Sequence, residues 1–206
     1  MFNDKYGLTQ AVLCGRKTQT RQIAYMPNGF ITFDDEDFQL KRLDNGQALL
    51  TLSGNSFKTA RYKIGEEVAI AQRYADLAYD GEFFRLLGKV IFEKGCHNKM
   101  FVRADLMPHH IRITKIRMER LQDISDDDCL KEGICRSDIK NTLWGVAPIR
   151  GEGEYGTTYE HSVLGYGPWH LFPSVKKSYA FLIDRISGKG TWENNPFVFV
   201  YDFELL

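Results

Sequence analysis

Seven consecutive residues, Gly15-Arg16-Lys17-Thr18-Gln19-Thr20-Arg21, bring two hydroxyls, a lysine and two arginines together directly after a short apolar run. Two chemistries suit such a set. A basic, hydroxyl-rich turn released by a glycine can hold an anion. It can also activate a threonine, whose free hydroxyl is a poor nucleophile without a base. A lysine serves as that base once burial or a cationic neighbour brings its pKa down towards about 7–8, and Arg16 and Arg21 supply the neighbours. On residue types alone the plainer reading prevails: a polar connection in which Lys17 caps the last carbonyls of a helix.

Glu132 poses the same choice. It stands just before Gly133, where a helix C-terminus is expected. A carboxylate there opposes the helix dipole by about 0.3–1 kcal/mol. Such a misplaced charge can mark function, or it can be a solvated residue beside Lys131.

The elements that must position these groups follow from periodicity and breakers. Leu8, Ala11 and Val12 keep helical spacing, so residues 5–14 read as a helix closed by Gly15. Residues 25–61 lack a clean period and read as an insertion of short hairpins. Asn45-Gly46 and Gly54-Asn55 give the turns, and Phe30–Phe33 and Ala48–Leu52 the strands. Tyr62 to Glu67 reads as a turn feeding a strand at Val68–Gln72. Phe84–Phe92 is a further strand candidate, and Ile111–Met118 alternates as a half-buried strand should. Ser125 offers an N-cap, with Asp126, Asp127 and Asp128 in the favourable first turn of a helix that Gly133 ends. Residues 136–172 read as a long loop or second insertion. Val175–Ile186 reads as a helix with Tyr179, Leu182, Ile183 and Ile186 on one face, and Phe197–Phe203 as a final strand. Strands and short helices without a βαβ repeat favour one compact α+β or barrel-like domain over residues 1–206.

Composition narrows the function classes. The chain has 206 residues, 43% hydrophobic and 26% charged, with 27 basic residues balancing 27 acidic ones. Zero net charge argues against tight nonspecific duplex binding. No apolar run approaches a membrane span and no signal peptide is visible at the N-terminus, so a cytoplasmic location is expected. The cysteines Cys14, Cys96, Cys129 and Cys135 form no C-x-x-C pair, which leaves a zinc site or disulfide framework poorly supported. His109 and His110 adjoin a strand, where neighbours face opposite ways, and do not make a metal pair. Trp144, Tyr155, Tyr159, Tyr166 and Trp169 can either stack bases or anchor a long loop. Trp192 reads as core.

Taken in order, Gly15-Arg16-Lys17-Thr18-x-Thr20-Arg21, Tyr62-Lys63-x-Gly65-Glu66-x-Val68, Glu119 to Ser125 with Glu132-Gly133-Ile134, and Gly188-Lys189-Gly190-Thr191-Trp192-x-x-Asn195-Pro196 resemble the ASCH domain family of the PUA-like superfamily. The last two segments are similar to longer members found in phages and prophages. The resemblance implies a small β-barrel flanked by short helices, with residues 25–61 and 136–172 outside the common core and the basic turn at the mouth of a cleft. Its implied partner is RNA or a modified nucleoside, with Arg16, Thr18 and Arg21 as ligand-binding residues. One group of small ASCH enzymes hydrolyses N4-acetylcytidine with a threonine, a lysine and a glutamate. Carried over, these roles fall on Thr20 as nucleophile, Lys17 as base and Glu132 in proton transfer, without a metal or cofactor. Those enzymes are much shorter than this chain, and their arginine comes two positions after the threonine rather than next to it. An accessory protein acting through protein contacts is the third expectation.

Overall fold

The computed structural model describes residues 2, 6–25, 38–77, 94–136, 144–146 and 170–206. The fold is α+β, with short helices packed on antiparallel sheets, one of them curled into a half-barrel. The central sheet runs in the order β1 (Gln19–Tyr25), β10 (Phe197–Leu205), β6 (His110–Arg120), β5 (Glu67–Ala69). β10 lies between β1 and β6, which explains its nearly unbroken apolar run: Phe197 through Tyr201 are all buried.

Alternation along β10 divides two cores. Phe197, Phe199, Tyr201 and Phe203 face one side, packing with Ile111, Ile113 and Ile116 of β6. A meander of β2 (Phe38–Arg42), β3 (Gln47–Leu52) and β4 (Asn55–Lys63) closes over this core with Phe38, Ala48, Leu50 and Ala60. The segment read from sequence as an insertion of hairpins thus contributes its apolar face to the main core. Its two turns fall where Asn45-Gly46 and Gly54-Asn55 placed them. Tyr62 and Lys63 end β4 instead of forming the turn, which sits one step later at Ile64-Gly65.

Val198 and Val200 face the other side, where two helices cover them. These are α2 (Asp126–Lys131) and α3 (Val175–Ser187), contributing Cys129, Tyr179, Leu182 and Ile183. Ser125 caps α2 as its sequence position suggests, its hydroxyl accepting from the Asp128 amide at 3.1 Å. Ile186, read as part of the buried stripe of α3, is 42% exposed in the helix's last turn. Trp192 is half-buried, with its ring edge-to-face on Tyr179 at 6.2 Å.

The N-terminal helix α1 spans Leu8–Leu13, shorter than the expected 5–14. Gly7, at φ 63, is left-handed and starts the helix there. The structure also moves the boundary after it. Gln19 opens a strand held to β10 by the pairs Gln19–Asp202, Thr20–Tyr201 and Arg21–Val200. Among the described residues β1 is an edge strand that carries Thr20 and Arg21, and the turn proper is residues 14–18.

A small third sheet joins β7 (Cys135–Arg136), β8 (Trp144–Val146) and β9 (His170–Phe172) within the expected second insertion. The strand candidates Phe30–Phe33 and Phe84–Phe92 lie outside the described residues, as do Tyr155, Tyr159, Tyr166 and Trp169. No described helix is long and apolar enough to cross a membrane.

Candidate functional site

Two chain reversals build the site. Gly15, at φ 73, turns the chain back over α1, and the Lys17 amide donates to the Ala11 carbonyl at 2.8 Å. The Thr18 amide then donates to the Lys131 carbonyl at 3.0 Å, and the Phe203 amide to the Thr18 carbonyl at 2.9 Å. These bonds pin the turn between the end of α2 and β10. At that end Gly133, at φ 101, terminates α2 and leaves Glu132 as its C-cap. Lys17 and Glu132 meet there across 115 residues of sequence.

Gly133 is required by its backbone angle, and a side chain there would also press on its neighbours. A β-carbon there would lie 3.2 Å from Leu8 Cδ2 and 3.7 Å from Lys17 Cβ. Gly133→Ala is therefore expected to cost about 1–3 kcal/mol, from left-handed strain plus crowding. A urea midpoint equal to that of the wild type would rule out this account.

Lys17 is 2% exposed and Glu132 4% exposed, so the reading of Glu132 as a solvated charge beside Lys131 does not hold. The Lys17 ammonium donates to Glu132 Oε2 at 2.5 Å, to the Gln19 carbonyl at 2.7 Å and to the Glu132 carbonyl at 2.9 Å. All three of its donors are used. Lys17 does cap a helix, but the helix is α2 rather than the α1 expected from sequence. The dipole conflict at Glu132 is answered by two cations, since Arg21 Nη1 also donates to Glu132 Oε1 at 3.0 Å. Burial lowers the Lys17 pKa from its ordinary value, Arg21 pushes the same way, and Glu132 opposes both.

Arg21 is the hub of a wider cluster. Its guanidinium reaches Glu119 Oε1 at 2.6 Å and Gln19 Oε1 at 2.6 Å, with Asp128 Oδ2 at 3.4 Å. Burial works against its charge, but Glu132 and Glu119 more than offset this and raise its pKa. Arg117 extends the cluster to Asp128 at 2.6 Å, Glu119 at 3.0 Å and Asp202 at 3.1 Å. Gln19 bridges the two ends, donating to Asp202 Oδ1 at 2.5 Å while accepting from Arg21. With Lys131 on Asp128, the named groups are four cations and four carboxylates. A set this balanced fixes geometry more than it attracts an external anion. Cys129 beneath it has its thiol pushed up to about 12 by burial, so it stays protonated and is not a nucleophile.

Two cavities flank the cluster. The more enclosed, of about 130 Å³, is lined by Lys17, Thr20, Arg21 and Glu132, with Leu8 and Tyr179 among its walls. The other is an open groove of about 460 Å³ bordered by Thr18, Gln19, Lys115, Arg117 and Lys131. The structure thus divides the expected site residues. Lys17, Thr20, Arg21 and Glu132 share one cavity, Thr18 borders the other, and Arg16 lines neither. Arg16 instead has its Nε and one Nη buried without hydrogen-bond partners among the described residues. Strand alternation puts Thr20 on the Tyr201 face, opposite Arg21, and the cavity reaches both round β1, the outer strand of its sheet among the described residues. No hydrogen bond joins Thr20 to Lys17 among the described residues.

Gln19, Glu119, Arg117 and Tyr179 belong to the site without having been singled out for it. Arg117 and Glu119 alternate on β6, a pattern indistinguishable from a solvated strand face. Tyr179 sat on an apolar helical stripe and looked like core. No family model matches the chain, and no curated protein or solved structure does either.

Proposed function

We propose that the chain is an ASCH-type, PUA-like protein whose cavity at the Lys17–Glu132 pair receives a base or modified nucleoside. The observation that carries this reading is the cavity itself. Its volume of about 130 Å³ is close to that of an engineered cavity of about 150 Å³ that takes benzene. One six-membered ring fits such a space. Leu8, Leu182 and Ile183 offer apolar walls to the faces of a ring, and the buried ion pair offers polar edges. Because the cations here are already paired, the reading favours a nucleoside or a single extruded base over an extended RNA backbone. Calorimetric titration with cytidine and N4-acetylcytidine tests it. Binding is expected with little change between 50 and about 200 mM salt, since no phosphate is neutralised. Failure of both ligands to bind the wild type would remove the reading.

A second reading, deacylation, is favoured by the shared lining of Thr20, Lys17 and Glu132. Moving a proton along the 2.5 Å contact converts the Lys17–Glu132 ion pair into a neutral amine and a neutral acid. The amine then takes the Thr20 hydroxyl proton as Oγ1 attacks the acyl carbon. The C–N bond breaks, N4 leaves with the Glu132 proton, and the ion pair is restored. Water attacks the acyl-threonine ester, giving its proton to Glu132 while Lys17 protonates the departing threonine oxygen. The neutral pair and the free acid result. The step requires Lys17 to exchange one of its carbonyl bonds for Thr20, as resting active sites often do when substrate enters. Incubation with N4-acetylcytidine is expected to release cytidine and acetate, and Thr20→Ala to abolish release. An inactive wild type would exclude this substrate.

A further inference from the structure

Phe2 belongs to no helix or strand, and neither reading gives its ring a task. It lines the cavity of Lys17 and Glu132 and is half-buried rather than sealed. The Lys17 ammonium lies over the face of the ring, 5.9 Å from its centre. Lys17 is itself a wall of the cavity, so that face is turned towards the cavity's charged end. Lys17 does not depend on the ring, since its three donors are already on Glu132 and two carbonyls. The ring is held in place by Phe203 of β10, with centres 5.6 Å apart and planes tilted by 45°. The backbone is held too: the Lys99 ammonium donates to the Phe2 carbonyl and reaches the Thr9 hydroxyl at 3.4 Å. A ring fixed in this way loses little freedom when a ligand packs on it.

We propose that Phe2 is the aromatic face on which a flat, unsaturated ring stacks in this cavity, and thereby the residue that selects such a ring over a saturated ring of equal size. The other apolar walls, Leu8, Leu182, Ile183 and Ile186, are aliphatic. Aliphatic walls take either kind of ring, because burial and dispersion follow area and contact. An aromatic face favours the flat one through offset stacking. Tyr179 is also a wall, but it is 1% exposed and engaged by Trp192. Among the described residues this leaves Phe2 as the aromatic wall that a ligand can reach. The charged groups are paired with one another and do not enter into the choice. The proposal rests on the reading of the cavity as a ligand site and adds the kind of ring it selects.

The test titrates wild type, Phe2→Leu, Phe2→Met and Phe2→Tyr with 2-pyridone, with its saturated counterpart 2-piperidone, and with cytosine. The quantity read is the ratio of the 2-pyridone and 2-piperidone affinities. Both probes carry the same ring carbonyl and N–H, so the ratio isolates the flat ring. It is expected to fall at least about fivefold in Phe2→Leu and Phe2→Met, as loss of one stacking partner does, and to be kept in Phe2→Tyr. Leucine and methionine keep apolar bulk against Phe203. A role in packing alone would therefore lower the melting midpoint and weaken both probes alike without moving the ratio. If one of these two variants fails to fold, the other decides. An unchanged ratio in the apolar variants, or an equal fall in Phe2→Tyr, would overturn the proposal whatever the melting midpoints. Cytosine bound by the wild type with an unchanged ratio in the variants keeps the nucleoside reading and removes the role of Phe2. Cytosine refused while 2-pyridone binds and the ratio falls does the reverse. Binding of no probe to the wild type overturns both.

Discussion

Glu132→Ala is expected to lower folding stability by about 3–5 kcal/mol, the range seen when one partner of a buried ion pair is removed. Lys17 would keep two carbonyl acceptors but lose the carboxylate that compensates its charge in a site only 2% exposed. Arg21 would lose one carboxylate and keep Glu119. The paired change Lys17→Met with Glu132→Leu is expected to recover most of the loss, because an apolar pair of similar volume carries no buried charge. Urea denaturation of the three variants decides the matter. A single-variant cost under about 1 kcal/mol would mean that the pair is solvated.

The second large effect concerns pH and belongs to the deacylation reading. The Lys17–Glu132 pair holds the single proton that Glu132 hands to N4, so kcat/KM should level off below the Lys17 pKa and fall above it as that proton is lost. Burial has moved that pKa below the ordinary 10.5, which shifts the falling limb towards neutrality. Lys17→Arg keeps the charge but cannot give up a proton. It is expected to lower kcat by about 10²–10⁴ and to erase the limb. A limb unchanged in Lys17→Arg would assign it to another group.

Several elements of this fold are written locally and were legible as such. β10 announces itself by five successive buried side chains, β6 by alternation, and α2 by its serine cap and closing glycine. β1 hides its nature because two residues on its helix-facing side are Gln19 and Arg21, polar yet buried. Their partners Asp202 and Glu119 are 183 and 98 residues away, so no local window contains the reason for their burial. The Lys17–Glu132 pairing was reached by resemblance and not by periodicity. The choice between the two readings of Glu132 stays open in the sequence for the same reason: a charge at a helix end looks solvated until the chain that covers it is known. Tyr179 was hidden differently, since an apolar stripe predicts where a ring goes and not whether its hydroxyl finds a partner.

The order of strands has a consequence for biosynthesis. Among the described residues β1 has one sheet neighbour, β10, and Lys17 waits for a partner 115 residues further on. While the ribosome is still making the middle of the chain, the basic stretch that opens the site has neither. β6 and the β2–β4 meander can form meanwhile, because their pairings are available earlier. The cavity at Lys17 and Glu132 therefore takes shape only when residues 197–205 emerge and slot between β1 and β6. A nascent or truncated chain lacking that strand carries the residues of the Lys17–Glu132 cavity without the cavity.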